Sequence, residues 1–237
     1  MNQLLPEILI PFSGVIWKFL FPAERTTYVS LGSDCNVATI LKTHKKRREA
    51  YPFDWCVSLG KINDCFENNF HSWCTMVPKA HPQERITNKY GVFFAHEPNP
   101  GAPEPNKQKR RIDRLLALLK TDTQFTHLIR QSHKQAHEGG HPTCSVRMDG
   151  PDYSGLEKNE IDTMVALDGH FQKQHYSNYH LWLILVCPKC FQKTSTLSKN
   201  SRVTIINLVQ RYDHKKEMDN ASLNSLVEKC MLKQIID

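Results

Sequence analysis

Several absences narrow what this chain can be. Neither G-x-x-x-x-G-K-[ST] nor G-x-G-x-x-G occurs, so the two glycine-rich loops that cradle nucleotide phosphates are missing. No internal repeat is present, which removes solenoids and propellers. The eight cysteines (35, 56, 65, 74, 144, 187, 190 and 230) lack the dense, regular spacing of a disulfide scaffold, and the chain is too large to need one. Reduced thiols in a cytoplasmic setting are the expectation. The apolar stretch Leu4 to Phe21 has no basic residues ahead of it and no small-residue cleavage site, so it makes a poor signal peptide. Its longest uncharged run, Ile8 to Trp17, is too short to span a bilayer. Packing of this arm onto the domain is favoured over peripheral membrane contact through Trp17 and Phe21.

What is present is ordinary for a folded protein. The 237 residues are 40% hydrophobic and 23% charged, enough to bury a core and not a composition for wholesale disorder. The expected organisation is an N-terminal arm over residues 1–25 and one domain over 26–237. A formal charge of +7 favours acidic partners in general and indicates no specific nucleic acid. The basic run Lys42 to Arg48 carries no interleaved aromatics, so it reads as a solvated helix end.

Apolar periodicity assigns the elements. Strands are expected at Tyr28 to Leu31, Val92 to Ala95, Phe125 to Arg130, His180 to Cys187 and Val203 to Leu208. Helices are expected from Cys35, over Lys61 to Phe70, over 107–120, over Glu157 to Gln174 and from Asn220 or Ser222 to Ile235. His180 to Cys187 is the most apolar strand and so central in its sheet. The order predicts an α/β fold, a mixed or mostly parallel sheet flanked by helices.

The densest chemistry lies in Tyr28 to Ser58, YVSLGSDCNVATILKTHKKRREAYPFDWCVS. A short strand meets a turn at Gly32-Ser33-Asp34, and Cys35 opens a helix whose Val37, Ala38, Ile40 and Leu41 share one face. Ser33 or Asp34 can cap that helix. A thiol at a helix start feels the positive end of the dipole, which favours the thiolate. A small cysteine packed under a turn is the alternative on local chemistry alone.

SLGSDC, the helix that follows and PFDW resemble a family of papain-like cysteine peptidases, with Ser30, Leu31, Gly32, Cys35, Leu41, Pro52, Phe53, Asp54 and Trp55 carrying the likeness. KYGVFFAHE resembles its second motif through Tyr90, Gly91 and His96, and KRRIDRLLALLK its basic helix. The resemblance implies Cys35 as nucleophile and His96 as its base. A papain-type fold also implies an antiparallel β half, which disagrees with the parallel sheet read from the pattern.

A thiol hydrolase needs a thiolate, an imidazole and a polar group to orient the imidazole. Asp54, held by its PFDW context near the Cys35 helix, is the candidate orienter. Phe53 and Trp55 are expected to pack inward and leave Asp54 at the rim. Glu97 would point away from His96 if the strand continued. His133 is the alternative base, after a strand and before a glycine-containing loop. Trp55 and Arg130 are the candidates for substrate contact, since a guanidinium fork suits carboxylate or phosphate; Arg110, Arg111 and Arg114 read as solubilising charges. Cys187-x2-Cys190, with His175 and His180 upstream, supplies only half of a zinc site. No metal and no cofactor is therefore expected. The reading is a cysteine-dependent hydrolase or related acyl-transfer enzyme acting on a protein or peptide substrate. A non-catalytic binding module with a basic rim is the alternative from another class, and a transferase acting on an anionic or sugar-linked substrate is the third.

Overall fold

The computed structural model describes residues 26–32, 35–58, 62–77, 86–99, 101–133, 154–187, 202–209 and 220–236. The apolar arm, the Ser33-Asp34 turn, the loop over 134–150 and Cys190 fall outside these. Four parallel strands form the main sheet: β1 (Thr26–Ser30), β4 (Phe125–His133), β5 (Tyr179–Cys187) and β6 (Val203–Val209). They lie side by side in the order β1-β4-β5-β6. Two short strands, β2 (Val57–Ser58) and β3 (Val92–Phe93), pair antiparallel beside it. The helices are α1 (Asn36–Thr43), α2 (Ile62–Glu67), α3 (Pro105–Lys120), α4 (Ser154–Lys173) and α5 (Asn220–Met231), the last running into a π-helical turn, Leu232–Ile236.

Side-chain alternation along the strands builds two cores, one on each face. On one face Val29, Leu31, Leu128, Leu181, Leu183 and Val203 pack against Ile62 and Phe66 of α2, Leu115 and Leu119 of α3, and Met164, Leu167 and Phe171 of α4. On the other, Tyr28, Ile129 and Ile184 meet Val37, Ile40 and Leu41 of α1 and Val227, Met231, Ile235 and Ile236 at the C-terminal end of the chain. The run LWLILV is apolar on both sides because β5 is covered on both, as a central parallel strand must be. The fold is a layered α/β arrangement with a mostly parallel sheet flanked by helices, and the antiparallel half of a papain-type fold is not found among the described residues.

The strand expected at Val92 to Ala95 stops at Phe93. Ala95 N–H donates to the Phe93 carbonyl and Glu97 N–H to that of Phe94, so the chain turns instead of extending. No helix among the described residues is long and apolar enough to cross a membrane.

Candidate active site

The site gathers at the carboxyl end of β1, where three short segments converge. Gly32 follows β1 with φ +76, a conformation that glycine accepts readily, and a Cβ there would meet Ser58 Oγ at 2.8 Å. The SLG motif thus lets the chain pass close under β2 before α1 begins. Cys35 is the N-cap residue of α1 rather than a member of its first turn, and its carbonyl accepts from Thr39 N–H at 3.0 Å. Asn36 Nδ2 donates to Gln131 Oε1 of β4 at 2.8 Å, which fastens the helix start to the sheet.

His96 sits three residues past β3 in a turn anchored on both sides. Phe94 is buried against Trp73, edge to face at 5.6 Å. Glu97 reaches α3, where its carboxylate accepts from Lys107 Nζ at 2.8 Å, Gln108 Nε2 at 2.9 Å and Arg111 Nη1 at 3.5 Å. Upstream, Asn88 Oδ1 accepts from the N–H groups of Tyr90 and Val92, both at 3.0 Å, and shapes the turn that enters β3. With both flanks held, the imidazole stays exposed and its Nε2 lies 3.1 Å from Cys35 Sγ.

The PFDW turn forms the third wall. Phe53 is buried among Phe66, Phe70 and Trp73. Asp54 N–H donates to the Tyr51 carbonyl, and Tyr51 N–H donates back to Asp54 Oδ2 at 3.0 Å. Asp54 is 1% exposed, so it lies inside the turn and not at a rim. It is ion-paired with Arg47 at 2.9 Å. Burial pushes its carboxyl up, with Arg47 the strongest opposing influence. Trp55 takes φ +63, the left-handed region that a bulky side chain enters only under constraint. It is half-buried instead of packed fully inward, and its ring meets that of His96 edge-on at 5.4 Å. Arg47 and Lys42 lie over the same indole, at 5.4 and 5.8 Å. Two members of the basic run therefore belong to the site, which the charge pattern alone did not suggest.

A small cavity opens beside His96, lined by Asp54, Trp55, Cys56, Phe94, Glu97, Lys107 and Arg111. Burial pushes the Cys56 thiol well up; Arg111 opposes that, and the charges of Cys35, Asp54 and Glu97 add to it.

The two arginines exchange the roles the sequence suggests. Arg130, the candidate for substrate contact, is 0% exposed and spends all five donors inside the fold. It donates to both oxygens of Glu160, to the carbonyls of Leu31 and Ser58, and to Ser58 Oγ. It pins β1, β2, β4 and α4 together and has no donor left for a ligand. Arg111, read as a solubilising charge, lines the cavity. Helical periodicity gives no sign of this; the structure supplies the link through Glu97. His133 ends β4 opposite Val186, and its side chain lies outside the described residues, as do those of Cys187 and Cys190. Among the described residues no group of three His, Cys, Asp or Glu side chains could hold a metal.

These features define a class: a layered α/β protein with a cysteine at the start of a helix and a histidine against it. Residues 26–82 match the model of the family described as "Putative papain-like cysteine peptidase (DUF1796)". The matched segment carries Cys35 and the PFDW turn, while His96 and α3 lie beyond it. No curated protein matches the chain, and no solved structure does.

Proposed function

We propose that this protein is a cysteine-dependent hydrolase acting on a peptide, isopeptide or other amide bond. The reading rests on the 3.1 Å approach of His96 Nε2 to Cys35 Sγ at the start of α1. An imidazole at that distance takes the thiol proton, and the thiolate attacks the carbonyl carbon. The charge that develops on the carbonyl oxygen is met by backbone N–H groups at the helix start. Collapse expels the amine, which takes its proton from His96 and leaves a thioester on Cys35. Water then attacks the thioester, gives its proton to His96 and releases the acid and the thiol. Trp55 restrains the imidazole through its ring edge, and Asp54 acts by holding Arg47 and the PFDW turn in place. A half-buried thiol beside an open cavity favours this reading over a binding module, which would occlude it. An arginine pocket remote from Cys35 would have favoured a transferase, but the fully engaged Arg130 does not make one.

The test is the rate of iodoacetamide alkylation against pH, read site by site by mass spectrometry on the folded protein. Cys35 should label fast well below pH 8, roughly tenfold or more ahead of an unperturbed thiol, and His96→Ala should slow it. Labelling of Cys35 no faster than that of the other cysteines would sink the hydrolase.

A further inference from the structure

We infer that the cavity beside His96 is a carboxylate subsite, in which Arg111 holds an acidic group of the substrate next to the scissile bond; this rests on the hydrolase reading above. Both carboxylates in the cavity wall are already engaged. Glu97 accepts from Lys107, from Gln108 and, at its longest contact, from Arg111. Asp54 is committed to Arg47 and to the backbone of Tyr51. Arg111 is left with a single hydrogen bond of 3.5 Å among the described residues, although its side chain is only 12% exposed.

Arg130 shows what a fully enclosed guanidinium requires. A guanidinium removed from water needs its donors answered, and Arg130 has all five answered inside the fold. Arg111 keeps a little exposure, lines the cavity, and has no second protein acceptor among the described residues. Lys107 balances the Glu97 charge at shorter range and Arg47 that of Asp54, which leaves Arg111 as the third cation beside two carboxylates. A planar fork with spare donors suits a carboxylate, which it can meet through two parallel bonds. A phosphate monoester fits worse, because its second charge would face Glu97 and Asp54 in the same walls. The subsite therefore selects a monoanionic carboxylate, from an acidic side chain on the acyl side or from a terminal carboxylate on the leaving side.

Two alkylating reagents that differ by this one group test it. Iodoacetate and iodoacetamide both place a carbon on the Cys35 thiolate with loss of iodide, and only iodoacetate brings a carboxylate. The ratio of their rates at Cys35 corrects each protein for its own thiol reactivity. That ratio should exceed the ratio for free cysteine by about tenfold, and Arg111→Gln should bring it down to the free-cysteine value. Arg111 also touches Glu97, so a second variant guards against loss of the fold: Arg111→Lys, which keeps the charge without the fork, should give an intermediate ratio. A salt series on the unaltered protein should lower the iodoacetate rate more than the iodoacetamide rate. Acetyl-Asp and acetyl-Asn chloromethyl ketones then separate the sources. Faster capture of the Asp reagent assigns the carboxylate to the acyl side chain; equal capture with the iodoacetate preference intact assigns it to the leaving side. Fast iodoacetamide labelling with an ordinary ratio, or a raised ratio that Arg111→Gln does not change, overturns the subsite and leaves the hydrolase standing. Slow labelling by both reagents overturns the hydrolase itself.

Discussion

Arg130 and Arg111 carry the same guanidinium into opposite situations, and the difference is what each can be asked to do. Arg130 joins segments far apart in the chain: Leu31 lies 99 residues away, Ser58 72 and Glu160 30. No sequence spacing encodes such a meeting, which is why the residue invites a ligand-binding reading on the sequence alone. Removing one partner of a buried pair leaves the other charge unanswered in a poorly polar surrounding. Arg130→Met should therefore cost about 3–5 kcal/mol in urea unfolding, because Glu160 stays buried without its cation. Replacing Glu160 by Met as well should recover part of the loss, since the stranded charge is then gone. A single variant as stable as the parent protein would mean the pin contributes nothing. The same residue-level reasoning explains Asp54, which is drawn into its own turn by the Tyr51 N–H and by Arg47. Its sequence context gives its neighbourhood to Cys35, but its burial depends on an arginine from the preceding loop.

At the level of elements, the main-sheet strands were the most legible part, because short apolar runs rich in β-branched and aromatic residues and bounded by polar segments have few other solutions. The strands expected at His180 and Val203 run within a residue of their expected limits, while the one from Phe125 continues three residues past Arg130 to His133. The turn that carries His96 was not legible, since Val-Phe-Phe-Ala continues an apolar run and the break comes from contacts of Phe94 and Glu97 with distant residues. The alternation also hides a feature that burial makes chemical. Tyr28, His127 and His180 stand in register across β1, β4 and β5. Tyr28 stacks on His127 at 5.3 Å, and Trp182 Nε1 donates to His127 Nδ1 at 2.8 Å. An indole nitrogen only donates, so Nδ1 accepts and the ring is neutral. Burial, and then His180, push the His127 pKa down to about 3. Burial, and then Arg202, push that of His180 down to about 4. Both values lie below the unfolded histidine value near 6.5, so the unfolded chain binds more protons between the two. Stability contributed by the neutral rings is complete above about pH 6.5 and is lost as pH falls toward their folded values. Urea midpoints should decline as pH falls from 6.5 to 4, and His127→Phe/His180→Phe should flatten that decline. An equally steep decline in the double variant would assign the acid sensitivity to other groups.

Considered as a whole molecule, the sheet keeps its two cores apart, and the site is built from elements on both sides. Cys35 begins α1, whose apolar face belongs to the core closed by α5 and the π-helical turn. Phe94, in the turn that carries His96, and Leu115 and Leu119 of α3 belong to the aromatic core on the opposite face. The 3.1 Å contact between Cys35 and His96 therefore bridges packing on opposite faces of the sheet. This is also why the site was only half legible in the sequence. The cysteine and its helix are one continuous segment, whereas the partner histidine, Arg47 and Arg111 reach it through folds of the chain on different faces. Ile235, 4% exposed, packs in the first core, and His44 at the end of α1 reaches Glu228 of α5 at 2.6 Å. Ile235→Ala should lower global stability by about 2–5 kcal/mol through the transfer loss and the cavity left behind. If the two cores open separately, hydrogen exchange at Ile40 and Leu41 should accelerate far more than at Leu115 and Leu119. Alkylation of Cys35 should then lose its dependence on His96 before the protein unfolds, because α1 moves while the histidine turn stays anchored by Phe94 and Glu97. Equal acceleration on both faces would show that the sheet couples them into one cooperative unit, and the distance between thiol and imidazole would then be fixed by the whole fold.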